Sequence, residues 1–358
     1  MDNDLLYCVR GESFELRASS CEIKSAQAGA ENGFRLNHKI NIDVKRMFDV
    51  IVVGELNVDL ILNQVESFPE IGKEKLADSM TLTLGSSSAI FASNLSSLGL
   101  KVSFIGKIGN DVFGLFCKEQ LEANKVDVSM LMISDELNTG ATVILNFDED
   151  RAMVTHQGSM KHLGLSDITP AMLSQAKHLH FSSYFLQPGF KDDLDKLFRM
   201  AREAGLTTSF DAQWDPLEKW ELDYRLVLPY VDIFLPNEKE IMEITGEQTL
   251  DKAIDLVKNV SNILVVKQGN KGSLAVYAGT KTFKPVFLNE QVIDAIGAGD
   301  SFNAGFIYKF IQQAPLDVCQ VFGNLIGAIS TTAAGGIKAF SDLTTTMKIA
   351  KEKFGYEE

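Results

Sequence analysis

The chain has 358 residues, 45% of them hydrophobic, enough to bury a substantial core as one large domain or two ordinary ones. Its net charge of −14 repels nucleic acid and anionic membrane, so neither is an expected partner. No apolar run approaches the roughly 18–20 residues that cross a bilayer.

Residues 1–46 are polar and weakly patterned, and they lack the basic start and apolar centre of a secretory signal. They read as a poorly ordered extension ahead of a folded domain at 47–358, or as a regulatory arm. Met47-Phe-Asp-Val-Ile-Val-Val-Gly54 then opens abruptly as a buried strand ending in a turn glycine. Further strand-like apolar runs fall at Val102–Ile105, His178–Phe181, Thr207–Phe210, Ile233–Leu235 and Ile263–Lys267. Amphipathic stretches at Ala89–Leu98, Phe113–Asn124, Phe190–Ala204, Glu238–Thr245 and Leu250–Asn259 lie between them. The alternation predicts an α/β fold, a doubly wound and mostly parallel sheet covered by helices.

Two stretches depart from that rhythm. Val58–Leu62 with Glu74–Leu84, and Thr139–Phe147 with Arg151–His156, alternate with period two and are joined by turns. They predict a small separate sheet, built from about 56–84 and 137–157, that would act as a lid over a cleft and exclude water. Apolar lid residues such as Ile61, Leu82, Val143 and Leu145 offer a surface on which two copies could pair as a homodimer.

The four cysteines, Cys8, Cys21, Cys117 and Cys319, are scattered without Cys-x-x-Cys spacing. That fits reduced thiols in a cytoplasmic protein rather than a disulfide framework or a zinc site. His178 and His180 alternate along one strand, where packing explains them better than a metal does.

The segment richest in chemistry is Val292-Ile-Asp-Ala-Ile-Gly-Ala-Gly-Asp-Ser-Phe-Asn-Ala-Gly-Phe306. A strand ending near Asp294 would meet a Gly-Ala-Gly turn, and a helix would follow with Phe302, Phe306, Ile307 and Phe310 on one face. Small residues at 297–299 let a phosphate approach the backbone, and the free N–H groups of the helix start point at it. Asp300 in that first turn is placed to accept a proton from an attacking hydroxyl. The same residues also fit a plain strand–turn–helix junction. No Gly-x-x-x-x-Gly-Lys-Ser/Thr loop exists, and no Gly-x-Gly-x-x-Gly opens a helix after the first strand, so this late turn is the best phosphate site on offer.

The stretch Asp294–Phe302 resembles the C-terminal motif of the PfkB (ribokinase-like) carbohydrate kinases, with Ala295 at a position usually threonine. Gly54-Glu-Leu-Asn-Val-Asp59 is similar to that family's first strand and turn. Leu84–Gly99 followed by Phe104–Gly114 resembles its N-terminal motif, Pro236–Glu240 its Asn-x-x-Glu element, and Val266–Gly272 its nucleotide loop. The resemblance implies ATP-dependent transfer to a small sugar-like acceptor, with Mg²⁺ and in many relatives K⁺. It makes Asp300 the base, and the amides of Gly297, Ala298 and Gly299 the anion hole. Asn237 and Glu240 would hold Mg²⁺ through water, although their spacing is equally that of a helix cap. Lys267, where many relatives have threonine, would lie along the nucleotide with Gly269 and Gly272, and Asn324 near its base. Asp294 and the carbonyl of Ile296, with carbonyls of the loop Ala333–Ile337, match the monovalent-cation positions.

On the acceptor side Asn57 and Asp59 share one strand face, and a paired amide and carboxylate can grip adjacent hydroxyls. Gly85 and Ser86 would continue that pocket. Relatives commonly carry asparagine where this chain has Ile90, which sets ribose itself in question. The favoured acceptor is an unphosphorylated sugar or sugar acid, because no Lys/Arg cluster lies beside Asn57, Asp59 or Gly85. The alternatives are a nucleoside kinase, using Phe91, Tyr184, Phe185 or Trp214 to sandwich the base, and a catalytically silent sugar-binding regulator.

Overall fold

Strand β1 (Phe48–Val53) sets the pattern of the larger sheet, because its side chains alternate between two buried environments. Val50 and Val52 join one apolar cluster while Ile51 and Val53 join another on the opposite face. A strand covered on both faces needs apolar residues at every position, and that is how a parallel sheet reads. The computed structural model describes residues 46–147 and 150–357. The expectation for the leader therefore lies, apart from Arg46, outside the described residues, together with Cys8, Cys21 and the tip of one lid hairpin.

Two lid strands follow β1: β2 (Asn57–Asn63) and β3 (Ser79–Leu84). Helix α1 (Ser87–Ser97) leads to β4 (Val102–Gly109), and α2 (Val112–Ala123) leads to β5 (Leu131–Ser134). The lid is completed by β6 (Gly140–Phe147) and β7 (Asp150–His156). The chain returns to the main sheet through α3 (Pro170–Leu173), β8 (Ala176–Ser182), α4 (Leu194–Glu203) and β9 (Thr207–Asp211). Next come α5 (Tyr224–Val227), β10 (Ile233–Phe234), α6 (Glu238–Thr245), α7 (Leu250–Val257) and β11 (Ile263–Lys267). A hairpin of β12 (Gly272–Tyr277) and β13 (Thr280–Pro285) precedes α8 (Ala298–Ile311), α9 (Leu316–Ser330) and α10 (Leu343–Phe354).

The main sheet has nine strands in the order β13-β12-β11-β10-β9-β8-β1-β4-β5, parallel except at the β11–β12–β13 edge. Residues of α1, α2, α8, α9 and α10 pack on one face, and those of α3 to α7 on the other. From β1 the chain winds one way through β4 and β5, then the other way through β8 to β11. The reversal lies between β1 and β8, and the crevice outside the carboxyl ends at such a point is the usual ligand site of an open α/β sheet.

The lid sheet runs β3-β2-β6-β7, with β2 and β6 parallel and the outer pairs antiparallel. Its register gives each face a character. Asp59, Thr83, Thr142 and Thr155 share one face, with Ile61 two residues along from Asp59. Leu60, Leu82, Val143 and Val154 form a cross-strand row on the other, continued by Met80, Leu62 and Leu145. Ile61 thus lies on the opposite face from Leu82, Val143 and Leu145, and it is buried. It does not belong to the outer apolar surface.

Two local expectations need correction. Residues 286–297 form no strand before the glycine turn. The Ile293 N–H instead bonds Thr331 O at 2.9 Å, and the Asp294 carboxylate accepts from Ile296 N and Gly335 N, both at 2.9 Å. Those contacts tie the segment to the loop after α9 without a strand ladder. Helix α4 begins only at Leu194, because Pro188–Phe190 forms a separate 3₁₀ turn ahead of it.

Candidate active site

Two strands of the main sheet end, and a helix begins, at one point. β9 finishes on Asp211, β11 on Lys267, and α8 begins beside them at Ala298. Gly297 caps that helix with φ +74°, and a Cβ there would stand 2.8 Å from Gly336 Cα. Only glycine meets both demands cheaply. The helix start holds Asp300, 7% exposed, whose Oδ1 accepts a 2.8 Å hydrogen bond from Gln213 Nε2. The same Gln213 nitrogen donates to Asp211 Oδ2 at 3.0 Å, and Asn303 Nδ2 donates to that oxygen at 2.6 Å. Lys267 Nζ forms an ion pair with Asp211 and reaches Asn303 Oδ1 at 3.5 Å.

Burial and the neighbouring Asp211 charge push the Asp300 carboxyl up to about 7, with the Lys267 ammonium opposing the shift. Burial likewise raises Glu240 to about 7, helped by Asp211 and resisted by Lys267. Burial works to lower Lys267, but the charges of Asp211 and Glu240 overcome it and leave the ammonium raised. A carboxylate with a pKa near neutrality at a helix N-terminus suits a general base, since it is available at working pH yet basic enough to take a proton.

Asn237 and Glu240 form a capping box on α6. The Asn237 side chain accepts from Glu240 N at 2.9 Å, and the Glu240 carboxylate accepts from Asn237 N at 2.8 Å and from Asn237 Nδ2 at 2.6 Å. The pair is therefore a helix cap and, at the same time, part of the charge cluster, because Glu240 is buried and its charge is felt at Lys267. Among the described residues no set of three His, Cys, Asp or Glu side chains is arranged to hold a metal directly. The donor set fits a hydrated cation met through water rather than a protein cage.

A cavity of about 390 Å³ opens beside the glycine turn, lined by Lys267, Gly269, Gly272, Ala298, Gly299 and Asn324. Asn324 donates to Lys284 O and Pro285 O at 3.1 and 3.0 Å, which ties α9 to the β13 edge of that cavity. Across the cleft, Asn57 Nδ2 donates to Asp59 Oδ1 at 2.9 Å and to Thr142 Oγ1 at 3.2 Å. Burial raises Asp59 to about 6, against the pull of hydrogen bonds from Asn57 and Thr142. A Cβ on Gly85 would stand 2.4 Å from Asp59 Oδ1 and 2.5 Å from Asn57 Nδ2, so a larger residue just past β3 would have to displace both side chains. The Ser86 hydroxyl has internal duties: it donates to Glu55 O at 2.6 Å and accepts from Ala89 N at 2.9 Å as the cap of α1.

Several residues that sequence reasoning missed complete the site. Asp211, Gln213 and Asn303 join Lys267 to Asp300. Glu55, buried at the sheet reversal, accepts from Ser88 Oγ at 2.5 Å and Ser183 Oγ at 2.9 Å, and burial raises its pKa. Asn94 donates to Ser301 Oγ and Gly336 O at 2.9 and 2.8 Å, fastening α1 to α8 and to the loop beside the turn. The signal was available for Asp211, an acid at a strand's carboxyl end, but nothing local marked the others. Arg151 and Lys338 also line a second cavity, of about 300 Å³, with Ile61, Thr83, Asp294 and Ile296.

Two of the proposed aromatic sandwich residues are packed in the core. Phe91, 1% exposed, stacks on His180 at 3.8 Å, and Tyr184 is buried against Phe185 and Phe210. Trp214 remains 38% exposed, with the Lys239 ammonium 4.2 Å from its ring centroid. His178 and His180 are buried and share Ser209 Oγ at 2.7 and 2.8 Å.

Among known proteins the chain is 28% identical over 314 residues to the 5-dehydro-2-deoxygluconokinase of Lacticaseibacillus casei, covering 83% of this chain and 93% of the relative. It is 26% identical to the ATP-dependent ribose-1-phosphate kinase of Halopiger xanaduensis, covering 82% of this chain and 95% of the relative. The fold matches Arabidopsis thaliana ribokinase, solved with ribose and ATP, at a TM-score of 0.75 and 21% identity, over 85% of this chain and 99% of that one. The pfkB family carbohydrate kinase model matches residues 47–343. The chain belongs to that family, and is a phosphotransferase with an alcohol group as acceptor.

Proposed function

We propose that the protein transfers the γ-phosphate of ATP to a hydroxyl of a sugar or sugar acid, with Asp300 as general base. The observation that carries this reading is the buried Asp300 carboxyl, raised to about 7, beside the Gly297–Gly299 turn and the cavity that Lys267 and Asn324 line. The acceptor hydroxyl gives its proton to Asp300, and the amides of Gly297, Ala298 and Gly299 receive the charge that develops on the phosphoryl oxygens. Gly269, Gly272 and Asn324 lie along the nucleotide. Asn57, Asp59 and Gly85, with the backbone at Ser86, orient the acceptor. Asn237 and Glu240 would meet Mg²⁺ through water, and the ion would offset the triphosphate charge. K⁺ would sit by Asp294 and the Ile296 carbonyl.

The test is ADP release over a panel of sugars, sugar acids, phosphosugars and nucleosides, with Asp300→Asn as control. Losing the base lowers kcat by on the order of 10²–10⁴. Wild-type turnover by that variant would remove Asp300 from the role. One observation favours a second acceptor class, a phosphosugar: Arg151 and Lys338 line a cavity against the lid face that carries Asp59 and Thr83. Phosphosugars outrunning sugar acids in the panel would establish it.

The family match begins at residue 47, which supports a kinase domain at 47–358 and a leader outside it. The acidic surface and unpaired Cys117 and Cys319 support a cytoplasmic setting. No helix among the described residues is long and apolar enough to cross a membrane. The outer lid face, with Met80 66% and Val154 71% exposed, supports a homodimer in which two lids pair.

A further inference from the structure

At the strand ends the carboxylates outnumber the cation they surround. Asp211 from β9, Glu240 from α6 and Asp300 from α8 all act on the Lys267 ammonium, and Glu55 after β1 adds a negative charge felt at Asp300. An ammonium serving only to neutralise Asp211 is an expensive device, because apolar groups of the same volume often fill such a place at no loss. Its position suggests more. The ammonium lies 3.7 Å from where a Cβ on Gly299 would stand, so it borders the glycine turn itself. Among the described residues, Asp211 and Asn303 account for two of its three donors and nothing else takes one. The third is left for a ligand in the cavity that Lys267 lines with Gly299.

We propose that Lys267 contacts the γ-phosphoryl group during transfer, acting with the Gly297–Gly299 amides as the cation of the anion hole while Asp211 holds it in register. The inference rests on the phosphoryl-transfer reading above. In the step it serves, the acceptor oxygen bonds to the γ-phosphorus as the bond from that phosphorus to the β–γ bridging oxygen breaks. ADP leaves with the electron pair, and the acceptor proton passes to Asp300. Charge spreads over the γ-oxygens and the leaving oxygen, where a fixed, desolvated cation is worth far more than in water. Gln213, bonded to both Asp211 and Asp300, couples the placement of the cation to that of the base. Lys267 is then a γ-phosphate ligand rather than a general nucleotide contact.

The test compares ADP with the non-hydrolysable ATP analogue AMP-PNP by titration calorimetry in the presence of Mg²⁺. Lys267→Met should weaken AMP-PNP tenfold or more and change ADP less than threefold, and Lys267→Arg should restore part of the difference. Because Lys267→Met strands a buried Asp211, the double variant Lys267→Met/Asp211→Asn repeats the measurement in a neutral network and should show the same selective loss. An equal loss for both nucleotides in both variants, or no loss in either, overturns the proposal and leaves Lys267 a structural partner of Asp211. Wild-type protein that binds neither ADP nor AMP-PNP would instead overturn the nucleotide reading beneath it.

Discussion

At one end of the cleft, Asp211, Lys267, Asn303, Gln213 and Asp300 form a single bonded cluster seated on the strand ends and the first turns of α8. At the other end, Asn57, Asp59 and Thr142 sit on a four-stranded sheet that is apolar on its outer face. The first set is charged, multiply connected and backed by the nine-stranded core. The second centres on one carboxylate whose hydrogen bonds come from an amide and a hydroxyl within the lid. The phosphoryl donor is the same molecule in every turnover, so charges held rigidly there lower the barrier without reorganising. An acceptor pocket on a separate thin sheet can vary between relatives and can move as a lid.

Breaking the base gives the largest effect. Asp300→Asn should lower kcat by on the order of 10²–10⁴ and leave nucleotide affinity nearly unchanged. It should also stabilise the fold in a pH-dependent way. A carboxyl raised from 3.8 to about 7 on folding binds its proton more tightly in the native state. The cost of ionising it is absent below pH 4, grows as pH rises toward 7, and is complete above that. Thermal melts should therefore show a larger gain for the variant at pH 8 than at pH 4.5. Equal gains at both would mean that Asp300 is not buried as a strained charge.

Asp59→Asn probes the acceptor end. Loss of a charged hydrogen-bond acceptor there should raise the acceptor KM by roughly 10–100-fold, at about 1.5–3 kcal/mol, while ADP affinity stays put. A matching loss of nucleotide affinity would show that the two ends are not separable. The lid sharpens the same division. Leu60→Asp with Val143→Asp places charges on the outer face, on the strand next to and opposite one another. Sedimentation should then convert a dimer to a monomer that still binds ADP. A monomeric wild type at micromolar concentration would discard the paired lids.

The two ends were also unequally legible in the sequence. The α/β alternation, the period-two lid segments and the late glycine turn each rest on local spacing, and local spacing is what a sequence displays. Asp300 could be found because the turn around it resembles a family motif, the turn alone fitting a plain junction equally well. Gln213 could not, since its relevance comes from lying between Asp211 and Asp300, residues 89 positions apart, and no periodicity encodes that. Asn237 and Glu240 were legible as a pair, but the capping box they form has the same spacing as a cation-positioning pair. Ile61 failed for a different reason. Period two puts Ile61 on the face of Asn57 and Asp59, so grouping it with Leu82, Val143 and Leu145 assumed a cross-strand register that the sequence does not display.

The smallest effect is the most telling about how the charged end works. Below about pH 7 the rate should rise tenfold per pH unit as Asp300 ionises, then level off. The Lys267 ammonium lowers the Asp300 pKa, because it favours the ionised carboxylate. Lys267→Met should therefore move the acidic limb of the profile to higher pH, and Lys267→Arg should hold it near the wild-type position. Asp59→Asn should leave the limb where it is. Burial raises Asp59 to about 6, but the largest charges felt at Asp300 are those of Asp211, Lys267 and Glu55. A limb that follows Asp59 and ignores Lys267 would place the titrating group in the lid, and the contrast between the two ends would have to be redrawn around that strand.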